Sequence, residues 1–352
     1  MNVFLILKCG FIDAYNFIKQ IGDINEVNKI FVFRDSESLE SRKAQYILPP
    51  FKKYSILKHL SRLIQIIRKY KLKPKLIIGI YEIPHGLIAM LAGKILRTPS
   101  VVSIIGNPAY KKLRKGLWLK LMMWILKNCN FITVTGNNSK FFLVEKGIGS
   151  DKVYILPNTM DLSPFSNLNI TPAYDIISLG RISKEKHIEI LIQIIFQLKK
   201  TQRNIRAAIA GDGPEFENIK RLIAELELQE NIDLLGYIPD RELANFFNNG
   251  RVFILTSETE GFPRTIVQAA ACGTPVIASK VGDIDDVILH NENGFLVNDY
   301  SCINDYIKAY LTLVDNPELY TRFSLELNDK VRDTFITEKA SAVWKEIMNK
   351  IN

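Results

Sequence analysis

Cysteine and histidine are scarce and scattered: Cys9, Cys129, Cys272 and Cys302, and His59, His85, His187 and His290, in 352 residues. No C-x-x-C pair occurs, so neither a spacing-encoded zinc site nor a disulfide framework is supported, and no metal is expected. This cysteine usage fits a reducing compartment. Long apolar runs are missing too. The densest, "LWLKLMMWIL" (residues 117–126), is far short of the roughly 20 residues that a membrane-spanning helix needs. The opening residues lack a secretory cleavage pattern and read instead as a strand, "VFLILKCG". Short repeats and low-complexity tracts are absent. A cytoplasmic chain is expected, held at a membrane only through its surface.

Acidic charge is the most unevenly missing feature. Residues 41–144 hold 20 Lys or Arg and one acid, Glu82, a balance of +19. The remainder has 26 basic and 36 acidic residues, a balance of −10, so the net +9 hides two regions of opposite sign. Single surface lysines serve solubility. One acid in 104 residues implies a positive face that attracts polyanions: an anionic leaflet, phosphorylated lipid or nucleic acid.

What is present is alternation. Hydrophobic residues make up 47% and charged residues 24%, a folded composition, and the length suits two domains. "VFLILK", "KIFVFR", "LIIGIY", "SVVSII", "FITVTG" and "KVYILP" read as strands of a first half. "YDIISLG", "RAAIAGDG", "IDLLGY", "RVFILTS", "PVIAS" and "GFLV" read as strands of a second. Amphipathic stretches such as residues 55–70, 85–96 and "HIEILIQIIFQLKK" separate them. The pattern predicts an α/β protein with two Rossmann-like parallel-sheet domains. The seam is expected within residues 157–175, which hold three prolines and no sustained periodicity. Residues 1–165, 166–336 and a final helical segment 337–352 are the expected divisions.

In open parallel sheets, ligands bind beyond the carboxyl ends of the strands. Four such loops carry functional groups. In "SLGRISKEKHIEI", Gly180 and Arg181 end a strand, and Lys186 precedes a helix. Two cations at a helix N-terminus oppose its partial positive charge, and an anion such as a diphosphate would resolve this; solvated loop charges are the plainer explanation. In "IAGDGPEFE", Gly211 and Gly213 permit a tight strand-to-helix turn. Gly236 and Tyr237 in "LLGYIP" offer backbone groups and a flat ring. In "TSETEGFPRTIVQAAACG", Glu260 lies in a loop before Gly261, Phe262 and Pro263, with Pro263 expected in the first helical turn and Gly273 as the stop. The N–H groups of Arg264 and Thr265 are then candidate binders of phosphate or sugar oxygens, with Gln268 one turn after Arg264.

Taken in order, "GRISKEK", "IAGDGPE", "IDLLGYIPDREL", "TSETEGFP", "QAAACGTPVIASKVGDIDDVI" and "NGFLV" resemble the donor domain of family-4 retaining glycosyltransferases of GT-B architecture. The likeness extends more weakly into "TGNNSKFFLVEKGIGSDKVYILPNTMDLSPF", and the first hundred residues match only in pattern. The resemblance implies two domains facing a cleft and a nucleotide-diphosphate sugar as co-substrate, a UDP-sugar ahead of a GDP-sugar, with no cofactor. It implies that Arg181 and Lys186 hold the diphosphate and stabilise the leaving group, while Glu260 contacts the sugar. Gly180, Gly211, Gly236, Tyr237, Gly261, Phe262, Pro263, Arg264, Thr265 and Gln268 would complete the donor site. Acceptor-side candidates are Gly10, His85, Gly106 and Asn107. Two departures stand out. Gln268 occupies a position normally held by a glutamate that binds ribose hydroxyls, and "IIGNP" lacks the histidine that many members carry after that strand.

Residues 110–128, "YKKLRKGLWLKLMMWILKN", read as a basic, tryptophan-bearing helix. On helical spacing Leu113, Leu117, Trp118, Leu121, Met122, Trp124 and Ile125 are expected on one side, with Lys112, Lys115, Lys120 and Lys127 largely on the other. A membrane-surface anchor through Lys111, Lys112, Lys115, Trp118 and Trp124 competes with an ordinary core-packed helix. The expected activity is hexosyl transfer to a glycan, lipid-linked, in bacterial surface polysaccharide or lipopolysaccharide synthesis, by an enzyme peripheral to the inner face of the cell membrane. The alternatives are a non-catalytic subunit supporting an active partner, motivated by Gln268, and a nucleic-acid binder. The latter is disfavoured because no RNA- or DNA-reading motif is visible.

Overall fold

The structure is a computed structural model that describes residues 1–7, 11–34, 42–47, 55–110, 116–201 and 204–351. The chain divides into two compact units, one of Met1–Met160 with Phe335–Asn352, the other of Asp161–Thr334. The first crossing thus falls five residues before the expected 165/166 division, and the return at 334/335 precedes the expected 336/337.

Unit 1 is a seven-stranded parallel sheet. Its elements are β1 (Asn2–Ile6), α1 (Phe11–Gly22), β2 (Lys29–Phe33), β3 (Ala44–Ile47), α2 (Ile56–Lys69), β4 (Leu76–Ile80), α3 (Leu87–Leu96), β5 (Ser100–Ser103), α4 (Leu117–Asn128), β6 (Phe131–Val134), α5 (Asn137–Glu145) and β7 (Val153–Ile155). The strand order is β3-β2-β1-β4-β5-β6-β7. Side chains alternate across a strand. Val3 and Leu5 therefore face a core with α1, while Phe4 and Ile6 face one with α2 and α3. Burial on both faces explains why the strands read as unbroken apolar runs.

Unit 2 has a six-stranded parallel sheet, β10-β9-β8-β11-β12-β13. It comprises β8 (Tyr174–Leu179), α6 (Ile188–Lys200), β9 (Ala207–Ala210), α7 (Phe216–Glu225), β10 (Ile232–Gly236), α8 (Leu243–Asn248), β11 (Gly250–Leu255), α9 (Arg264–Ala271), β12 (Val276–Ser279), β13 (Phe295–Val297), α10 (Ile303–Val314) and α11 (Pro317–Thr334). Strand order reverses between β8 and β11, which pair in parallel. Their loops therefore emerge side by side at the switch point, where such sheets bind ligands.

The last helix, α12 (Thr337–Asn349), packs on α1 in unit 1. Trp344, Ile347 and Met348 are buried there. Trp344 Nε1 donates to Gln20 Oε1 at 3.1 Å, and Gln20 Nε2 donates to Thr159 Oγ1 at 2.7 Å. One buried amide thereby joins α1, α12 and the segment after β7.

Candidate donor site

β8 ends at Leu179, and Gly180 and Arg181 follow. A single 3-10 turn, Lys184–Lys186, leads into α6. β11 ends at Leu255, and the loop to Glu260 follows. These adjacent loops are stitched together. Glu258 N–H donates to Glu185 O at 2.8 Å. Thr256 Oγ1 donates towards Lys186 O and His187 O, each at 3.0 Å. Lys186 Nζ then meets Glu260 Oε1 at 2.5 Å, with the side chains only 20% and 11% exposed. Ser257 Oγ donates to the same carboxylate oxygen at 2.8 Å. A partly dehydrated, charge-assisted bond of this kind carries about 1.5–3 kcal/mol.

The electrostatic conflict read from the sequence is therefore partly met inside the chain: Glu260 is the counter-ion of Lys186. Arg181 is exposed and belongs to no ion pair with Glu260 among the described residues. Glu185 balances the same turn. Ser183 Oγ donates to its carboxylate at 2.7 Å and holds it below the usual carboxylate range, with the Lys186 and Arg181 charges adding.

Backbone close approach fixes the glycines. A Cβ on Gly211 (φ +130°) would lie 1.8 Å from Gly180 O, so the second glycine-bearing loop is pressed against the first. Gly236 (φ +66°) faces open space, and Tyr237 beside it is 72% exposed.

α9 begins one residue later than the sequence suggests. Pro263 is its cap, at φ −75° and ψ 120°, because its ring is compatible with the extended entry to the helix. The helix closes as expected, with Gly273 N–H donating to Ala270 O and Thr274 N–H to Ala269 O around a left-handed Gly273 (φ +79°). Phe262 and Pro263 are buried, whereas Gly261, Arg264, Thr265 and Gln268 remain half-exposed. The polar face of α9 is thus open beside the Glu260 loop.

Acceptor-side candidates lie in unit 1. His85 sits in the turn Glu82–Gly86 after β4, buried, with Nδ1 2.9 Å from Ile80 O. Gly106 and Asn107 follow β5, where Asn107 Oδ1 accepts from Ala109 N–H at 2.8 Å and Gly106 has open space around it. Gly10, Lys111, Lys112 and Lys115 lie outside the described residues.

The α4 expectation needs correction. The helix starts at Leu117, and its core side is Met122, Ile125 and Leu126. Leu117, Trp118 and Trp124 point away, 80%, 60% and 47% exposed. Leu117, Lys120, Trp124 and Lys127 recur at three- and four-residue steps and form one outward face, so apolar and basic groups are mixed there rather than opposed.

Sequence reasoning missed the braces. Ser257, Thr256, Ser279 (Oγ to Ser257 O, 2.6 Å) and Gly282 hold the Glu260 loop. A Cβ on Gly282 (φ +61°) would stand 2.1 Å from Glu260 O. Short hydroxyl residues after a strand were the available signal, but such residues serve turns just as often.

Paired parallel α/β units, with a cation–carboxylate pair at the switch point of the second, define a glycosyltransferase of GT-B architecture. The chain belongs to that group: residues 161–326 match the family described as Glycosyl transferases group 1, and residues 29–164 match Glycosyltransferase Family 4. It is 27% identical over 160 residues to a phosphatidylinositol N-acetylglucosaminyltransferase protein of Arabidopsis thaliana, covering 45% of this chain and 36% of that one. The chain spans about a third to three fifths of the length of the first curated relatives it matches. Its fold is shared by Anabaena Alr3699/HepE in complex with UDP and glucose, with TM-score 0.81, 15% identity and 99% of both chains covered. The lipopolysaccharide outer core galactosyltransferase WaaB superposes with TM-score 0.75 at 17% identity, over 99% of this chain and 100% of that one.

Proposed function

We propose that this chain is a retaining glycosyltransferase that takes a sugar from a nucleoside-diphosphate donor held by unit 2. The observation that carries the reading is the Lys186–Glu260 pair at the β8/β11 switch point, braced from both loops. A diphosphate beside Lys186 and Arg181 would take up their charge, and a sugar hydroxyl would compete for Glu260. Opening that pair on donor binding frees a cation to stabilise the leaving group as negative charge develops. Gln268, half-exposed on the open face of α9, would accept a ribose hydroxyl through its neutral amide oxygen. Arg264 and Thr265 would contribute at the helix start, while Gly180, Gly211, Gly236, Tyr237, Gly261, Phe262 and Pro263 shape the loops. UDP, the nucleotide in the HepE complex, is the first donor base to test, with GDP second.

The acceptor belongs to unit 1, with His85, Gly106 and Asn107 as candidates at the ends of β4 and β5. A lipid-linked glycan is the proposed class, supported by the basic segment and by the outward Leu117, Lys120, Trp124 and Lys127 face of α4. The relative named for phosphatidylinositol points the same way. No helix among the described residues is long and apolar enough to cross a membrane. Attachment through α4 to the anionic inner face of a bacterial cell membrane is proposed instead, with surface polysaccharide as the product class.

A thermal-shift screen of UDP, GDP, ADP and CMP sugars tests the donor reading. A ligand at a hundred times its Kd adds about 2.7 kcal/mol of stability. A shift with one base and none with the others is expected; silence with all four would overturn it. Binding without any turnover would favour the alternative, a non-catalytic subunit.

A further inference from the structure

His187 is the residue of unit 2 whose conformation the donor reading leaves unexplained. It follows Lys186 directly and adopts φ 48° and ψ 47°, the left-handed region that glycine occupies readily and other residues rarely. Its ring provides no cap to α6. Instead the imidazole stacks on Tyr300, with centroids 4.7 Å apart and planes 29° from parallel. Nδ1 lies 2.7 Å from Glu189 Oε1, and Nε2 lies 3.6 Å from Glu258 Oε2. Nε2 is buried and has no hydrogen bond within normal reach among the described residues. Glu258 is two residues from Glu260, and its N–H is the one bonded to Glu185 O.

We propose that His187 is a positioning residue of the donor site, and that its protonation sets how firmly the Glu260 loop is held against the Lys186 turn. The proposal rests on the donor reading above for its consequence in binding, but the clamp itself does not. A neutral imidazole has one N–H and can serve one carboxylate. With Nδ1–H on Glu189, the Nε2 lone pair would face Glu258, which is repulsive. The imidazolium donates from both nitrogens and ties α6 to the loop after β11. The clamp is therefore complete at the acid end of the histidine range and weakens as pH rises through it.

The ring's other charged neighbours must be counted. A groove of about 570 Å³ beside it is lined by Lys184, Glu189, Glu215, Arg221 and Glu225. Lys186 and Glu185 flank it in sequence. Asp299, next to Tyr300, is held by Ser301. Carboxylates at both nitrogens are the nearest of these groups, so the imidazolium is the form that the immediate surroundings favour.

The test uses the full chain as wild type, His187→Asn and His187→Gly, since both replacements tolerate the left-handed backbone. Hydrogen exchange of amides 256–261 is measured without ligand at pH about 6 and about 8, either side of the histidine range, and corrected for intrinsic rates. The wild type should be more protected at the lower pH. Both variants should lose that difference and exchange about tenfold faster there, the factor that one charge-assisted bond carries. UDP binding by calorimetry should weaken in parallel. Equal protection and equal pH dependence in all three proteins would overturn the proposal, as a merely structural His187 would give. Loss of protection with no UDP or GDP binding by the wild type would sink the donor reading and leave the clamp standing. Unchanged protection alongside tight UDP binding would do the opposite.

Discussion

Charge and its compensation decide what single residues do here. Glu260 neutralises Lys186 in the ligand-free chain and accepts from Ser257 at 2.8 Å. Gln268 offers an amide where its relatives carry a charge. A charged hydrogen bond exceeds a neutral one by roughly 1.4 kcal/mol, about tenfold in affinity. Gln268→Glu should therefore tighten UDP binding about tenfold by calorimetry, and weaker binding would contradict the assigned ribose position. Gly282 tests the loop rather than the ligand. With a Cβ 2.1 Å from Glu260 O and φ +61°, Gly282→Ala should cost more than about 1 kcal/mol in denaturant unfolding and displace Glu260. A variant as stable and as tight-binding as wild type would refute that brace.

At the scale of elements, burial decided what the sequence could reveal. The strands of both sheets are buried on both faces, so they read as unbroken apolar runs and stand out. β3 did not: "AQYI" is an edge strand with no fully buried residue, and its composition resembles a loop. The loops carrying Arg181, Lys186 and Glu260 were legible because strand ends in a parallel sheet can be counted. Their mutual geometry was not, since nothing in the spacing says that Lys186 would reach Glu260. For α4, apolar spacing alone could not tell which side meets the core, because Leu117, Trp118 and Trp124 are as apolar as Met122 and Ile125. Its outward face makes a specific prediction. Trp124→Ala with Lys127→Glu should cut sedimentation with anionic liposomes severalfold, since each basic residue near such a surface adds about 1 kcal/mol, and should leave UDP binding unchanged. Equal sedimentation would remove α4 from the membrane reading.

The whole chain is folded by a return. After unit 2, residues 335–352 rejoin unit 1, and α12 places Trp344 in a core with α1. Trp344 is fully buried, and its indole N–H is matched to Gln20. Trp344→Ala should cost about 3–5 kcal/mol and should be seen as an earlier unfolding transition of unit 1, with UDP-linked stabilisation of unit 2 retained. A single, unshifted transition would show that α12 contributes little to the unit 1 core. Together, the two units give the chain a donor site built on unit 2 and an acceptor surface proposed on unit 1. The reading stands or falls on chemistry at Glu260. The decisive measurement is release of the nucleoside diphosphate from the nucleotide sugar that binds, comparing wild type with Glu260→Ala. Turnover by the wild type and a loss of at least about a hundredfold in the variant are expected. Equal turnover in the two proteins, or none in the wild type despite nucleotide binding, would contradict it.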